Sequence, residues 1–437
     1  MKRLILLSTL TLLLVILIGA TAFGTKARIQ SLGNSDYFFK DIYHIYANPA
    51  FLGLYTNSVY GELGCYDDYY WYYNEYDEYT PTERFLGINY KVYKGLSLGL
   101  TLNRKAYMPF YWDMEPEVVS EAAQPDAQDY INEYDFMASY DFEKLHVGLG
   151  LHHEGNKSEW EDNYVVPYSP GDYTYGDEWS IGNTGLTGGF LYDIDENSCI
   201  EGMVRLNFDR YDETYKYSDT AGYWYEQKWK YEGGNGIGFS ARAFYQVVEN
   251  FQIVPLIMFE SEKVSEKYDL STRDSIYATE KSGDEKYTKL VIGLGGNLKL
   301  DKGMIAGGIN LTKEKYTDEW DTLDVWEGTR WFKPGFNLGV EYDLTKWLVA
   351  RMGMQKEFIK YEETEDDRDN LPYEYHWFDK WSSTTDPADF LSFGVGFKFS
   401  KFKVDATVGA NRFFEGGYIL SGRQRNLFGT MSATFEF

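Results

Sequence analysis

Beyond Ile18 the chain has no apolar run long enough to cross a membrane as a helix. Cysteine is almost absent. The two present, Cys65 and Cys199, are too few for a disulfide scaffold and are expected as free thiols. The five histidines are 44, 146, 152, 153 and 376. His152 and His153 are neighbours on a strand and so point to opposite faces, which prevents them sharing a metal. No Ser, His and acid grouping stands out, and the acidic run Glu363 to Asp369 lacks the spacing of a calcium loop. Neither a catalytic centre, a metal site nor a cofactor is expected. Cations are also in short supply: 42 Lys and Arg face 68 Asp and Glu, for a net charge of −26. Such a chain does not bind nucleic acid through its phosphates.

What is present points to the cell envelope. Met1, Lys2 and Arg3 precede an apolar run from Leu4 to Ile18, and Ala20-Thr21-Ala22 supplies small residues for cleavage. Residues 1–22 read as a secretory signal peptide, with the mature chain starting at Phe23. The remainder is rich in 40 Tyr, 28 Phe, 12 Trp and 42 Gly, with only 11 Pro. Aromatic residues favour strands and concentrate in the interfacial girdles of membrane barrels.

The apolar residues alternate. Leu96, Leu98, Leu100 and Leu102 oppose Ser97, Gly99, Thr101 and Asn103; Ile200, Val204, Leu206 and Phe208 oppose Glu201, Arg205, Asn207 and Asp209. Period two is the mark of a strand with two different faces. The Leu set is expected toward lipid and the polar set toward a lumen. Paired segments meet at tight joints: Lys94-Gly95, Glu143-Lys144, Asp195 to Ser198, Glu249-Asn250, Asp301 to Gly303, Thr345-Lys346 and Ser400-Lys401. Between the pairs lie polar stretches at about 107–130, 158–177, 212–224, 268–284, 316–330, 362–386 and 414–424, expected as long loops.

Short turns at one end and long loops at the other predict an all-β fold: a transmembrane antiparallel up-and-down barrel over residues 57–437. About sixteen strands are expected, with fourteen as the alternative; Pro255 is the weakest point in the pattern. The expected setting is the cell outer membrane, short turns periplasmic and long loops outside. The last strand carries Phe435 and Phe437 on one face and ends the chain on Phe, a pattern similar to the signal read by the barrel-assembly machinery.

Ionisable residues on the inward faces include Glu201, Arg205, Asp209, Arg242, Glu341 and Arg351. A lipid-facing Arg or Lys at mid-bilayer would cost about 2–4 kcal/mol, so these are lumen candidates. They fit a polar filling or a charged constriction.

Residues 23–56 precede the first strand and are too mixed in polarity for the lipid face. They contain Ala27-Arg28, Leu32-Gly33, Asp41 and Asn48-Pro49-Ala50. In this order the elements resemble the opening of the FadL-like outer-membrane superfamily, which includes PorV and PorQ relatives. Asn34 stands where a second Gly is common, and the family usually has fourteen strands rather than sixteen. The resemblance implies an N-terminal plug or hatch within the barrel, with Asn48, Pro49 and Ala50 in its turn. It also implies passage of small hydrophobic molecules or, in the PorV branch, a role in surface export. The expected function is therefore an outer-membrane channel, with a non-conducting barrel that binds or presents partner proteins as the alternative. The expected partners are outer-membrane lipid, the assembly machinery and a small hydrophobic ligand.

Overall fold

The computed structural model describes residues 25–64, 84–104, 132–164, 173–219, 223–272, 279–320, 324–331, 333–367, 375–383, 390–409 and 430–437. The signal-peptide residues, Cys65, and the stretches expected as loops at 107–130 and 414–424 lie outside them. No described helix is long and apolar enough to span a membrane.

Nineteen strands form a single antiparallel sheet. The first group is β1 (Ser58–Gly64), β2 (Arg84–Tyr93), β3 (Leu96–Leu102), β4 (Asn132–Phe142), β5 (Leu145–Tyr164), β6 (Tyr173–Asp193) and β7 (Cys199–Asp219). There follow β8 (Trp224–Val248), β9 (Phe251–Thr272), β10 (Thr279–Leu300), β11 (Gly303–Trp320), β12 (Asp324–Trp331) and β13 (Lys333–Asp343). The last are β14 (Leu348–Glu357), β15 (Ile359–Asp367), β16 (Tyr375–Ser383), β17 (Phe390–Phe399), β18 (Phe402–Gly409) and β19 (Thr430–Glu436). β12, β15 and β16 extend the lines of β13, β14 and β17, so the wall has sixteen strands. It closes because β1 pairs with β2 on one side and β19 on the other, Gly61 meeting both Leu86 and Ala433.

Alternation sets the two faces. On β3, Ser97 and Thr101 are fully buried whereas Leu100 and Leu102 are exposed on the outer surface. The outward set around the wall includes Leu149, Phe190, Leu206, Phe239, Ile292, Leu338 and Met352. This apolar exterior is suited to lipid. Asn103, expected inward, instead ends its strand in the left-handed region at φ 62° and is exposed. Pro255 has Leu294 as its partner on β10, while on the β8 side the pairing passes from Arg242–Leu256 to Tyr245–Ile253. The missing N–H is thus placed where the ladder is interrupted.

The tight joints are where the sequence puts them; Gly95 and Glu143 take positive φ, as such hairpins need. The long stretches differ. Much of 158–177, 212–224, 268–284, 316–330 and 362–386 continues the strands instead of forming loops. β8 has 25 residues and β9 has 22, against about 9–11 for a membrane crossing. Their polarity suggests loops, but their residues keep period two and pair with neighbouring strands except at bulges, between Asp209 and Asp212 on β7 and at Tyr231–Gly233 on β8.

Candidate functional site

Residues 25–55 form short helical turns that touch β2–β6, β9–β11, β13, β14 and β17–β19. A segment in contact with a closed wall on so many sides lies inside it. Local rules explain its path. Thr25 caps α1 (Lys26–Ser31), its hydroxyl accepting from Arg28 N. Gly33 and Asn34 then reverse the chain with φ of 66° and 49°. Glycine adopts this region without strain, and asparagine is one of the few other residues that tolerate it. Asn337 Nδ2 donates to both their carbonyls at 3.0 and 3.1 Å. Asp41 and His44 cap one another across the turn Ile42–Ile45. Asn48 begins the 3-10 helix Pro49–Tyr55 by accepting from Ala50 N at 3.1 Å, with proline at the first position, where no N–H is needed. Its Nδ2 donates across to Phe190 O at 3.1 Å.

The wall receives the segment on glycines. A Cβ on Gly148 would overlap the Pro49–Ala50 backbone, and one on Gly189 would overlap the Asn48 side chain. Gly295 and Gly308 face each other across β10 and β11 and make room for the Phe38 ring. Gly353 lies against Gly33, and Gly394 against Ser31. All six lie in the short-turn half of the barrel.

Two ionic clusters hold the segment. In the first, Arg28 reaches Asp41 at 2.8 Å and Glu341 at 2.8 Å. Glu341 also accepts from Arg351 at 2.6 Å, and Arg351 reaches Asp405 at 2.7 Å, beside Lys403 at 3.3 Å. In the second, Arg242 binds Glu201 at 2.5 Å and donates to the carbonyls of Asp36 and Tyr37 at 2.7 and 3.0 Å. Of the six lumen candidates, Glu341 and Arg351 thus meet in one cluster, and Glu201 and Arg242 in the other. Arg205 and Asp209 stand farther along β7, bonded to Asn207 and Asn183.

A third contact involves residues that the sequence pattern did not single out together. Arg104 makes two 2.7 Å bonds to Asp135 and lies 4.0 Å over the Tyr46 ring. His152 completes the group at 2.9 Å from Asp135. The signal for it was present in the alternation, which puts Asp135 and His152 on inward faces.

Beside the segment the inner wall is apolar, with Leu191, Met203, Phe244, Val254, Leu256 and Met258 all buried. A cavity of about 20 Å3 lies there between His44, Ala47 and Phe51 of the segment and Leu256 and Met258 of the wall. That volume holds about one water. A polar cleft of about 370 Å3 opens at the short-turn end, lined among others by Asn197, Gln252, Lys299, Asp343 and Lys398. Burial drives the titration of the segment's own groups. It pushes the Asp36 carboxyl up to about 7 against the pull of Arg242, and holds His44, which Arg242 also disfavours as a cation, well below its usual range.

At the end of the chain, Phe435 pairs with Val59 and Phe402, and Phe437 stacks on Tyr90 with ring centroids 6.2 Å apart. Phe437 N also donates to Asn57 O at 3.0 Å.

No family model matches the chain, and no curated protein matches it. Solved structures similar to it include the toluene transporter TodX of Pseudomonas putida, at 10% identity and a TM-score of 0.41, covering 96% of this chain and 97% of that one. The toluene transporter TbuX of Ralstonia pickettii aligns at 11% identity and a TM-score of 0.41, over 96% of this chain and 99% of that one. At such values neither superposition bears on activity; the barrel rests on its own strand register.

Proposed function

We propose that the chain is a gated outer-membrane channel for small hydrophobic molecules, and that residues 23–56 are its gate. The observation that carries this reading is the composition of the contact between segment and wall. Buried Leu256 and Met258 face Ala47 and Phe51 around a cavity too small for any organic solute, with His44, Asn48, Glu201 and Arg242 also on its lining, so a solute would reach the apolar inner wall only if the segment shifted. The segment is held by glycine contacts, ion pairs and an apolar cluster in which its Phe38, Phe39, Ile42 and Phe51 pack with wall residues such as Met203 and Phe244; a shift would uncover apolar surface that a hydrophobic solute, unlike water, can cover. The resemblance of residues 27–50 to the opening of FadL-like barrels supports the same reading. The short turns would then face the periplasm and the long strands the outside, in line with the length asymmetry of outer-membrane barrels. No specific contact favours the non-conducting alternative.

Deletion of residues 27–50 behind an intact leader is the test. It should leave a folded, heat-modifiable barrel whose single-channel conductance in planar bilayers is higher than that of the intact chain. Unchanged conductance would remove the gate. The final strand supports a second part of the proposal, that Phe435 and Phe437 present the chain to the assembly machinery. Phe437→Asp should lower the yield of folded barrel severalfold, read by heat-modifiable migration, and a wild-type yield would overturn this role.

A further inference from the structure

The long strands separate their charges by face. β9 reads Glu260-Ser261-Glu262-Lys263-Val264-Ser265-Glu266-Lys267, so period two sends the three glutamates inward and both lysines outward. β11 does the same with Lys313, Glu314 and Lys315. The register agrees: Glu260 lies opposite inward Lys289, and Lys263 lies opposite Lys286 on the outer face.

The position of these cations along the strands is the second observation. On the outer face, Phe208 of β7 is followed by Arg210. Phe259 of β9 is followed by Ser261 and Lys263; Leu311 of β11 by Lys313 and Lys315. On β10, which runs the other way, Leu290 gives way to Thr288 and Lys286. The first charge beyond the apolar band is a cation on these four strands, three of them contiguous, whereas on β8, between β7 and β9, it is the exposed Glu232; in the whole chain carboxylates outnumber cations 68 to 42. Arg210, Lys263, Lys286, Lys313 and Lys315 are all exposed.

The third observation is repulsion. Lys263 and Lys286 are direct cross-strand partners, and Lys315 sits one step away, opposite Thr288. Like charges directly opposite one another destabilise a sheet. Asp284, 2.6 Å from Lys263, offsets one of these charges. Anions lying against this face from outside would relieve the repulsion between Lys263 and Lys286.

We infer that the outer face of β7 and β9–β11, just beyond the apolar band, docks the phosphate groups of the glycolipid in the outer leaflet. Lysine suits the task, since its stem lies along the apolar band while the ammonium reaches the headgroup level. This assignment rests on the orientation proposed above, with the long strands outside.

The test uses the purified full-length barrel in neutral detergent. Bisphosphorylated lipid A should raise its unfolding temperature, and the dephosphorylated lipid should do so much less. In the triple variant K263Q/K286Q/K313Q the difference between the two lipids should fall at least threefold, and 0.5 M salt should reduce it in the wild type. Equal stabilisation by both lipids, or an undiminished difference in the triple variant, would overturn the inference. Inorganic phosphate at the same phosphate concentration tests the source; equal stabilisation by it would mean a generic anion site and would equally overturn lipid docking. Heat-modifiable migration confirms that the variant is folded. Orientation is read separately by labelling Ser218→Cys on intact cells with an impermeant maleimide. Absence of labelling would defeat the orientation, and with it docking in the outer leaflet, whatever the lipid measurement on the purified barrel gives.

Discussion

The two halves of the barrel treat glycine and charge in opposite ways. In the short-turn half, inward glycines are occupied: Gly148, Gly189, Gly353 and Gly394 each lie against an atom of the N-terminal segment. In the projecting half, inward Gly234 is filled by the wall itself, a Cβ there meeting Asp209 at 2.7 Å, and a Cβ on outward Gly233 would meet nothing within 4 Å. Charges follow the same division. Near the short turns, Arg28, Arg242 and Arg351 are matched to carboxylates across 2.5–2.8 Å. Farther out, Glu260 on the inner face has both carboxylate oxygens without a hydrogen bond, and on the outer face Lys263 faces Lys286. One half is complementary to a part of its own chain. The other is matched by its own strands where it is matched, as in the Lys263–Asp284 pair.

The largest expected effect comes from removing the carboxylate that serves two arginines. Glu341→Gln leaves Arg28 and Arg351 with only Asp41 and Asp405 between them. Loss of one partner from a buried pair costs about 3–5 kcal/mol, and less where lumen water reaches the group. The closed state should weaken by roughly ten- to a hundredfold, seen as a higher open probability in planar bilayers. An unaltered open probability would mean that the ion pairs do not hold the segment.

Next in size is a comparison of two glycines. Gly353→Val should push Gly33 off the wall at about 1–3 kcal/mol, the usual cost of overpacking, and raise conductance. Gly233→Val, in the projecting half, should leave conductance and heat-modifiability at wild-type values. Similar behaviour of the two variants would erase the distinction between the halves.

The smallest effect concerns pH. Asp36 has its pKa raised by burial, so its contribution to seating is full at acid pH and is lost as pH rises through about 7. His44 is held neutral below its ordinary value, so it works the other way: seating is penalised as pH falls through about 6.5, where the released imidazole would take a proton. Between pH 6 and 8 the two oppose each other, and the intact protein should change little. Asp36→Asn leaves the His44 term, so the closed state should strengthen a few-fold as pH rises. His44→Gln should show the reverse sign. Equal slopes in both variants would show that neither group is coupled to seating.

Much of the wall was legible because a strand declares its two faces locally. The alternation of Leu96 to Leu102, the tight joints such as Glu143-Lys144, and the final Phe435 and Phe437 needed no knowledge of partners. The lengths of the strands were less legible. Tyr211 to Ser218 looks like a loop by polarity, yet its alternation continues, and pairing with β6 and β8 is what makes it strand. The charge pattern of β9 was open to inspection in the sequence as well, once the inward face was known.

The sequence by itself determined that residues 25–55 turn repeatedly, because capping by Thr25, Asp41 and Asn48 and the left-handed Gly33-Asn34 step act over two or three residues. It also determined which residues of each strand share a face. Only the tertiary structure decided that Arg28 would meet Glu341, Arg242 the carbonyls of Asp36 and Tyr37, and Arg104 the ring of Tyr46. Those partners lie far apart in the chain, and ion pairs carry no period by which one partner reveals the other. They become neighbours only when the sheet closes on itself and sets their distances, and closure depends on the register of every strand in the wall.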